Sequence, residues 1–198
     1  PGKRRNNKYY YFFDMDDTKL RKDQLIPEND NPCDHLFNKP LPQISLPNQE
    51  GNLLKLYRSD TFRLVIYFYP MTGNPKKNLP DNWENIPGTS GCTLQNCYFR
   101  DNYENLIQLN ALPIGISTQS IEEIKEMTLR LGIQFDIISD FKQELINEFS
   151  LPTFEVEKKI YLKRLTIIVE KNIVKKVFYP INDVHKHIDE IIKWLKQH

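Results

Sequence analysis

The sequence predicts an α/β fold with a central mixed sheet flanked by helices, and three observations carry that expectation. From about residue 46 onward, short β-branched and aromatic runs alternate with longer amphipathic stretches. The run Leu64, Val65, Ile66, Tyr67, Phe68, Tyr69 is apolar without interruption, as expected of a central strand covered on both faces. Two later strand-like runs meet at Lys171-Asn172, a tight-hairpin signal that ends the sheet with an antiparallel pair.

Residues 1–45 are rich in Asn, Asp, Lys and Pro and read as an extended arm. The cluster Tyr9, Tyr10, Tyr11, Phe12, Phe13 within it is expected to pack on the domain or on a neighbour. Asn48 to Gly51 is a turn, and 53–57 alternates like an edge strand. Pro70 ends the central strand, and 71–91 is a Pro-, Gly- and Asn-rich loop long enough to suggest function. Residues 93–109, with Leu94, Tyr98, Leu106 and Leu109, fit one helix, and 111–117 a strand. Ser120 and Glu123 form a capping-box pattern opening a helix that ends at Gly132.

A short strand at 133–138 and a helix at 141–149, stopped before Leu151-Pro152, come next. Strands at 164–170 and 173–179 make the hairpin, and a closing helix at 182–197 carries Val184, Ile188, Ile191, Ile192 and Leu195 on one stripe. Strand and helix alternate three times before the hairpin and last helix, which is the thioredoxin-like plan.

Composition bounds the function. The 198 residues, set against roughly 150 per domain, favour one domain plus an extension, divided as 1–32 and 33–198. Twenty-seven Lys and Arg against 26 Asp and Glu leave a net charge of +1, so no overall basic field draws the chain to nucleic acid. The apolar runs are too short to span a bilayer, and no membrane association is expected. Three cysteines do not make a disulfide framework, which favours a reducing, intracellular setting, cytoplasmic or nuclear. After Pro1-Gly2 comes Lys3-Arg4-Arg5 with no apolar stretch behind it, so no signal peptide is read and the basic triplet is taken as a solvated terminus.

The chemistry concentrates in the segment from Pro87 to Asp101. Cys92 stands where a Gly-rich loop meets a helix, and unpaired backbone N–H groups there favour an anion, so this thiol is expected to ionise early. The plain alternative is a small buried residue after a turn. Cys97 lies five residues on, roughly 7.5 Å of helical rise and about 140° of rotation away, so a Cys92–Cys97 disulfide requires the helix to unwind. Three cysteines and four scattered histidines lack zinc-ligand spacing, and no metal or cofactor is expected. Arg100 and Asp101 read as a helix-anchoring pair, Cys33 as a spare thiol in the extension, and His185 and His187 as surface residues.

These residues resemble the peroxiredoxins, specifically the peroxiredoxin Q or bacterioferritin comigratory type. That subgroup carries Thr-Pro-Gly-Cys-Thr, a second cysteine five residues after the first, and Phe-Arg-Asp. Here Thr89, Cys92, Thr93, Cys97, Phe99, Arg100 and Asp101 stand at the corresponding places. The likeness continues through Gly115-Ile116-Ser117, Ile138-Ser139-Asp140, Leu151-Pro152-Thr153-Phe154 and Arg164-Leu165-Thr166, and covers about residue 33 to the end. It implies a thiol peroxidase acting on hydrogen peroxide and organic hydroperoxides, recycled by a thioredoxin- or glutaredoxin-type reductant, as a monomer or weak homodimer.

By the same resemblance, Cys92 is the peroxidatic cysteine and Cys97 the intrachain resolving one. Thr89 positions thiolate and peroxide, Arg164 stabilises their charge, and Gln95 orients that arginine. A redox-signalling module that passes oxidation to a partner protein is the alternative. Two departures stand out: Asn85 occupies the usual active-site proline position, leaving Pro70 or Pro87 to supply its packing, and the inserted residues 71–86, with Trp83, have no assigned role.

Overall fold

A computed structural model describes residues 31–59 and 62–198, together with the backbone of two short paired strands, β1 (Tyr9–Tyr10) and β2 (Ile26–Pro27). The expectations for the packing of the aromatic cluster and for Lys3-Arg4-Arg5 lie outside the described residues.

The main sheet contains β5 (Arg63–Phe68), β6 (Ala111–Ser117), β7 (Ile137–Ser139), β10 (Leu165–Glu170) and β11 (Ile173–Phe178), in the order β11-β10-β5-β6-β7. β5, β6 and β7 run parallel, whereas β10 is antiparallel to both β5 and β11. The β10–β11 turn places Lys171 and Asn172 at φ of 49° and 62°, the paired left-handed conformation that a two-residue hairpin requires.

Because β5 is central, its alternate side chains feed two cores. Leu64, Ile66 and Phe68 join Leu165, Ile167 and Val169 on one face, under α4 (Glu144–Phe149). Val65, Tyr67 and Tyr69 join Ile168 on the other. That second face is covered by α1 (Cys92–Asp101), α2 (Tyr103–Gln108), α3 (Ile121–Leu131) and α5 (Val184–Gln197). The Ser120–Glu123 capping box forms in both directions, and Gly132 closes α3 in the left-handed conformation.

Several expectations need correction. The helix read over 93–109 is two helices broken at Asn102, whose Nδ2 donates to the Tyr98 carbonyl and competes with continuation of the helix. The helix read from 141 starts at Glu144, because the Asp140 carboxylate accepts from the Leu145 and Ile146 N–H groups and fixes the entry there. The strand read over 133–138 is confined to Ile137–Ser139. The extended arm read to residue 45 already packs at residue 33. Cys33, Leu36 and Leu41 are buried, and Asn38, Lys39 and Leu41 exchange backbone hydrogen bonds with Val174 and Asn172. Cys33 is therefore a core residue, and burial pushes its thiol up to about 12.

Among the described residues, three small strand pairs accompany the main sheet. Besides β1–β2, these are β3 (Ser45–Pro47) with β4 (Leu53–Lys55), and β8 (Thr153–Val156) with β9 (Lys159–Leu162). The β8–β9 hairpin is absent from the sequence reading. Its turn residues, Glu157 and Lys158, adopt φ of 50° and 63° without the Gly or Asn that announces such a turn.

Candidate active site

The C-terminal end of β5 feeds the loop that leads to α1, so residues 69–91 begin at the end of the sheet where the parallel strands β5, β6 and β7 finish. Pro70 is buried and Pro87 exposed, which leaves Pro70 as the proline able to supply packing. Within the 71–86 insertion, Trp83 is 4% exposed and packs edge-on to Tyr161 at 4.8 Å between ring centroids, with Phe154 at 5.9 Å. The insertion is thereby anchored to the β8–β9 hairpin. The Thr89 hydroxyl lies within donating distance of two carbonyls, that of Trp83 at 2.6 Å and that of Ile86 at 2.8 Å.

The chain enters α1 through Gly91, at φ 91°, where a Cβ would be strained by conformation and would sit 3.4 Å from a Val184 methyl. Cys92 is then the first residue of the helix, 3% exposed. Its Sγ lies 3.4 Å from the Thr89 carbonyl and 3.2 Å from Arg164 Nη2.

Arg164 immediately precedes β10, which starts one residue later than a strand over 164–170 implies. It is 5% exposed and turns its fork to the loop before α1. Nη2 also donates to the Ser90 carbonyl at 2.8 Å and the Gly88 carbonyl at 3.1 Å, and Nη1 donates to Gln95 Oε1. A buried guanidinium thus aims at the sulfur while its other donors are held by the loop and by α1. Gln95, 1% exposed, leaves Nε2 without a hydrogen-bond partner.

The structure therefore brings Cys92, Arg164 and Gln95 together. Thr89 is adjacent, but its carbonyl rather than its hydroxyl contacts the sulfur. Cys97 is half-buried on the same helix, and all three cysteines are free. From the α1 geometry, the Cα atoms of Cys92 and Cys97 are separated by roughly 8.7 Å, too far for a disulfide while α1 is intact.

Two neighbours escaped the sequence reading. Tyr69 sits beside the site, its phenol pushed up by burial, pulled back by Ser117 and raised again by Cys92. His187, read as a surface residue, is 2% exposed. Its Nε2 pairs with Thr166 Oγ1 at 2.8 Å, and its ring meets Phe178 edge-on. Burial, and secondarily the Arg164 charge, pull the imidazole down to about 4. The α5 stripe contains the missed signal, since positions 187, 191 and 195 recur at helical spacing. His185 is exposed as expected and pairs with the Tyr98 hydroxyl.

A cleft of about 650 Å³ lies on the far side of the 71–86 insertion, between it, the start of α3 and the β8–β9 hairpin, and neither Cys92 nor Arg164 lines it. Among the described residues no cluster of metal-ligating side chains occurs, and no helix is long and apolar enough to cross a membrane.

Comparisons with known proteins agree with one another. The AhpC/TSA family profile matches residues 84–177. Peroxiredoxin Bcp of Escherichia coli (strain K12) is 25% identical over 162 residues, covering 79% of this chain and 93% of that protein. The chloroplastic peroxiredoxin Q of Sedum lineare is 30% identical over 156 residues, covering 78% of this chain and 75% of its own length. Among solved structures, peroxidoxin BcpB from Mycobacterium tuberculosis superposes with a TM-score of 0.67 at 22% identity, over 81% of this chain and 96% of that one.

Proposed function

This chain belongs to the peroxiredoxin family, of the peroxiredoxin Q and Bcp type, and from that premise we propose that Cys92 is its peroxidatic cysteine and Cys97 its intrachain resolving cysteine. It is a thiol-dependent peroxidase, with a peroxide as substrate and a thiol as reductant. The observation that carries the assignment of Cys92 is the 3.2 Å approach of the buried Arg164 guanidinium to its sulfur.

In the first step the Cys92 thiolate attacks one peroxide oxygen. An S–O bond forms, the O–O bond breaks, and the departing hydroxide or alkoxide takes up a proton and leaves as water or alcohol. Arg164 offers positive charge to the thiolate and to the oxygens on which charge develops. Gln95 fixes the guanidinium through Oε1, and its unpartnered Nε2 is left to donate to a bound oxygen. With its one proton shared between the Trp83 and Ile86 carbonyls, Thr89 Oγ1 keeps lone pairs for a peroxide O–H.

In the second step the Cys97 sulfur attacks the sulfenic sulfur of Cys92, the S–O bond breaks, and water leaves as the disulfide forms. The first turns of α1 must unwind for this to happen, given the separation of the two cysteines along an intact helix. A thioredoxin-type dithiol then returns both sulfurs to thiols, supplying two electrons and two protons.

Intact-mass measurement after one equivalent of peroxide tests the scheme. Native protein should lose about 2 Da and remain monomeric on a non-reducing gel, whereas Cys97→Ser should gain about 16 Da as a sulfenic acid. Cys92→Ser should not change in mass. A covalent dimer would overturn the intrachain scheme and leave a resolving thiol from another chain, and a native protein left at the sulfenic acid would remove Cys97 from the resolving role.

A further inference from the structure

Resolution by Cys97 requires part of α1 to leave its helical form, so whatever fastens α1 to the sheet sets how readily the second step follows the first. One side chain between the two cysteines makes such a fastening. Asn96 is fully buried. Its Nδ2 donates to the Cys92 carbonyl at 2.9 Å, within the turn that must open, and its Oδ1 accepts from the Tyr67 hydroxyl at 2.7 Å.

Tyr67 is itself fixed from several sides. It lies on β5, fully buried, and its ring stacks on Phe99 of α1 with centroids 3.9 Å apart and planes inclined by 6°. The ring also lies over Gly115 of β6, where a Cβ would come within 2.7 Å of both its Cζ and its hydroxyl oxygen. Only a bare backbone leaves room for it there. Burial raises the Tyr67 phenol well above its ordinary range, so it stays protonated and remains a donor. The Asn96–Tyr67 bond thus ties the turn carrying Cys92 to the rigid centre of the sheet, and breaking it strands polar atoms in an apolar core.

We propose that the Asn96–Tyr67 pair is a latch that holds α1 wound after peroxide attack, making Asn96 a positioning residue that slows disulfide formation and so lengthens the life of the Cys92 sulfenic acid. This rests on the reading of Cys97 as the resolving cysteine. A longer-lived sulfenic acid has a competing fate. A second peroxide oxidises it to the sulfinic acid, inserting one more oxygen on sulfur and releasing one water or alcohol. The latch therefore sets the peroxide dose at which the protein is inactivated.

Asn96→Ala and Tyr67→Phe test the latch separately. The first puts a stronger helix former in place of Asn, so faster unwinding in that variant cannot come from helix propensity, and the second retains the ring stacked on Phe99. Rapid-quench mass spectrometry with hydrogen peroxide separates three rates: sulfenic acid formation, loss of about 2 Da on disulfide closure, and gain of about 32 Da on sulfinic acid formation. Neither side chain is hydrogen-bonded to Sγ or to the Arg164 guanidinium, so sulfenic acid formation should stay within about three-fold of native. Disulfide closure should accelerate about ten-fold in Tyr67→Phe, corresponding to one lost hydrogen bond, and at least as much in Asn96→Ala, which also loses its bond to the Cys92 carbonyl. The peroxide concentration that converts half the protein to sulfinic acid should rise by similar factors, and the double variant should gain little over Asn96→Ala, which already breaks the Tyr67 bond.

Closure rates unchanged in both variants, with only the melting temperature lowered, would overturn the latch and leave Asn96 a structural residue. Absence of any disulfide in the native protein would instead remove the resolving role of Cys97, and the latch with it.

Discussion

Replacing Arg164 by Lys separates charge from geometry at the peroxide step. The guanidinium uses Nη1 for Gln95 and Nη2 for the Ser90 and Gly88 carbonyls and the Cys92 sulfur, so one planar group reaches α1, the loop and the reacting atom together. Lysine keeps the charge but concentrates its donors on one nitrogen, which cannot hold Gln95 on one side and the sulfur on the other. The expected loss is one charge-assisted hydrogen bond at the reacting centre, about 1.5–3 kcal/mol, or about 10- to 200-fold in the second-order rate with peroxide. If the loop from 88 to 91 also relaxes, the loss extends towards about a thousand-fold, near 4 kcal/mol.

Stopped-flow measurement of the first oxidation, in a single turnover without reductant, reads this step apart from disulfide closure. Arg164→Gln should be slower still, because it removes the charge as well as the fork. Native-like rates in Arg164→Lys with only a lower melting temperature would make the arginine structural. Equal rates in the Lys and Gln variants would show that its charge does not assist the reaction.

The remaining predictions concern groups around the site. His187, held near 4 in the folded protein against an ordinary value of 6.5, is neutral when buried and takes up a proton on unfolding. Stability should therefore fall as pH drops through that window, by about 2.5 kcal/mol between pH 7.5 and 4.5. Urea unfolding of native protein and His187→Gln should show this slope only in the native protein, and parallel curves would refute it. Asp140, pushed up by burial, contributes with the opposite sign in both proteins and cancels in the comparison. Cys33, whose thiol is pushed up to about 12, should resist iodoacetamide at pH 7 in the folded protein, and its alkylation at the rate of Cys92 would contradict its burial. Removing residues 1–30, which keeps the Asn31 hydrogen bonds to Tyr179 and Cys33, should leave the first oxidation within about two-fold of native, as measured by the same stopped-flow assay.

How far the sequence could be read depended on how local each determinant was. The central strand, the Ser120–Glu123 capping box and the Lys171-Asn172 hairpin are written in adjacent residues, and all three form. The break at Asn102 depends on a side-chain bond to Tyr98, and the β8–β9 hairpin uses Glu157 and Lys158 in a conformation their types do not advertise. The burial of His187 follows from its place on the Ile191–Leu195 stripe, four and eight residues away, and not from its residue type. The site divides along the same line. The position of Cys92 at a helix start follows from the glycines before it, but the cation beside it comes from 72 residues away. Composition and periodicity give no reason to choose Arg164 among the chain's basic residues, and only the family resemblance singled it out. The roles of Trp83 and Tyr67 are more distant again, since each acts by holding a segment of loop or helix against strands remote in sequence. A sulfur at a helix start is a local feature of this chain, whereas its encounter with Arg164 is a consequence of the whole sheet, in which β10 must lie antiparallel to β5 before the guanidinium can reach the loop.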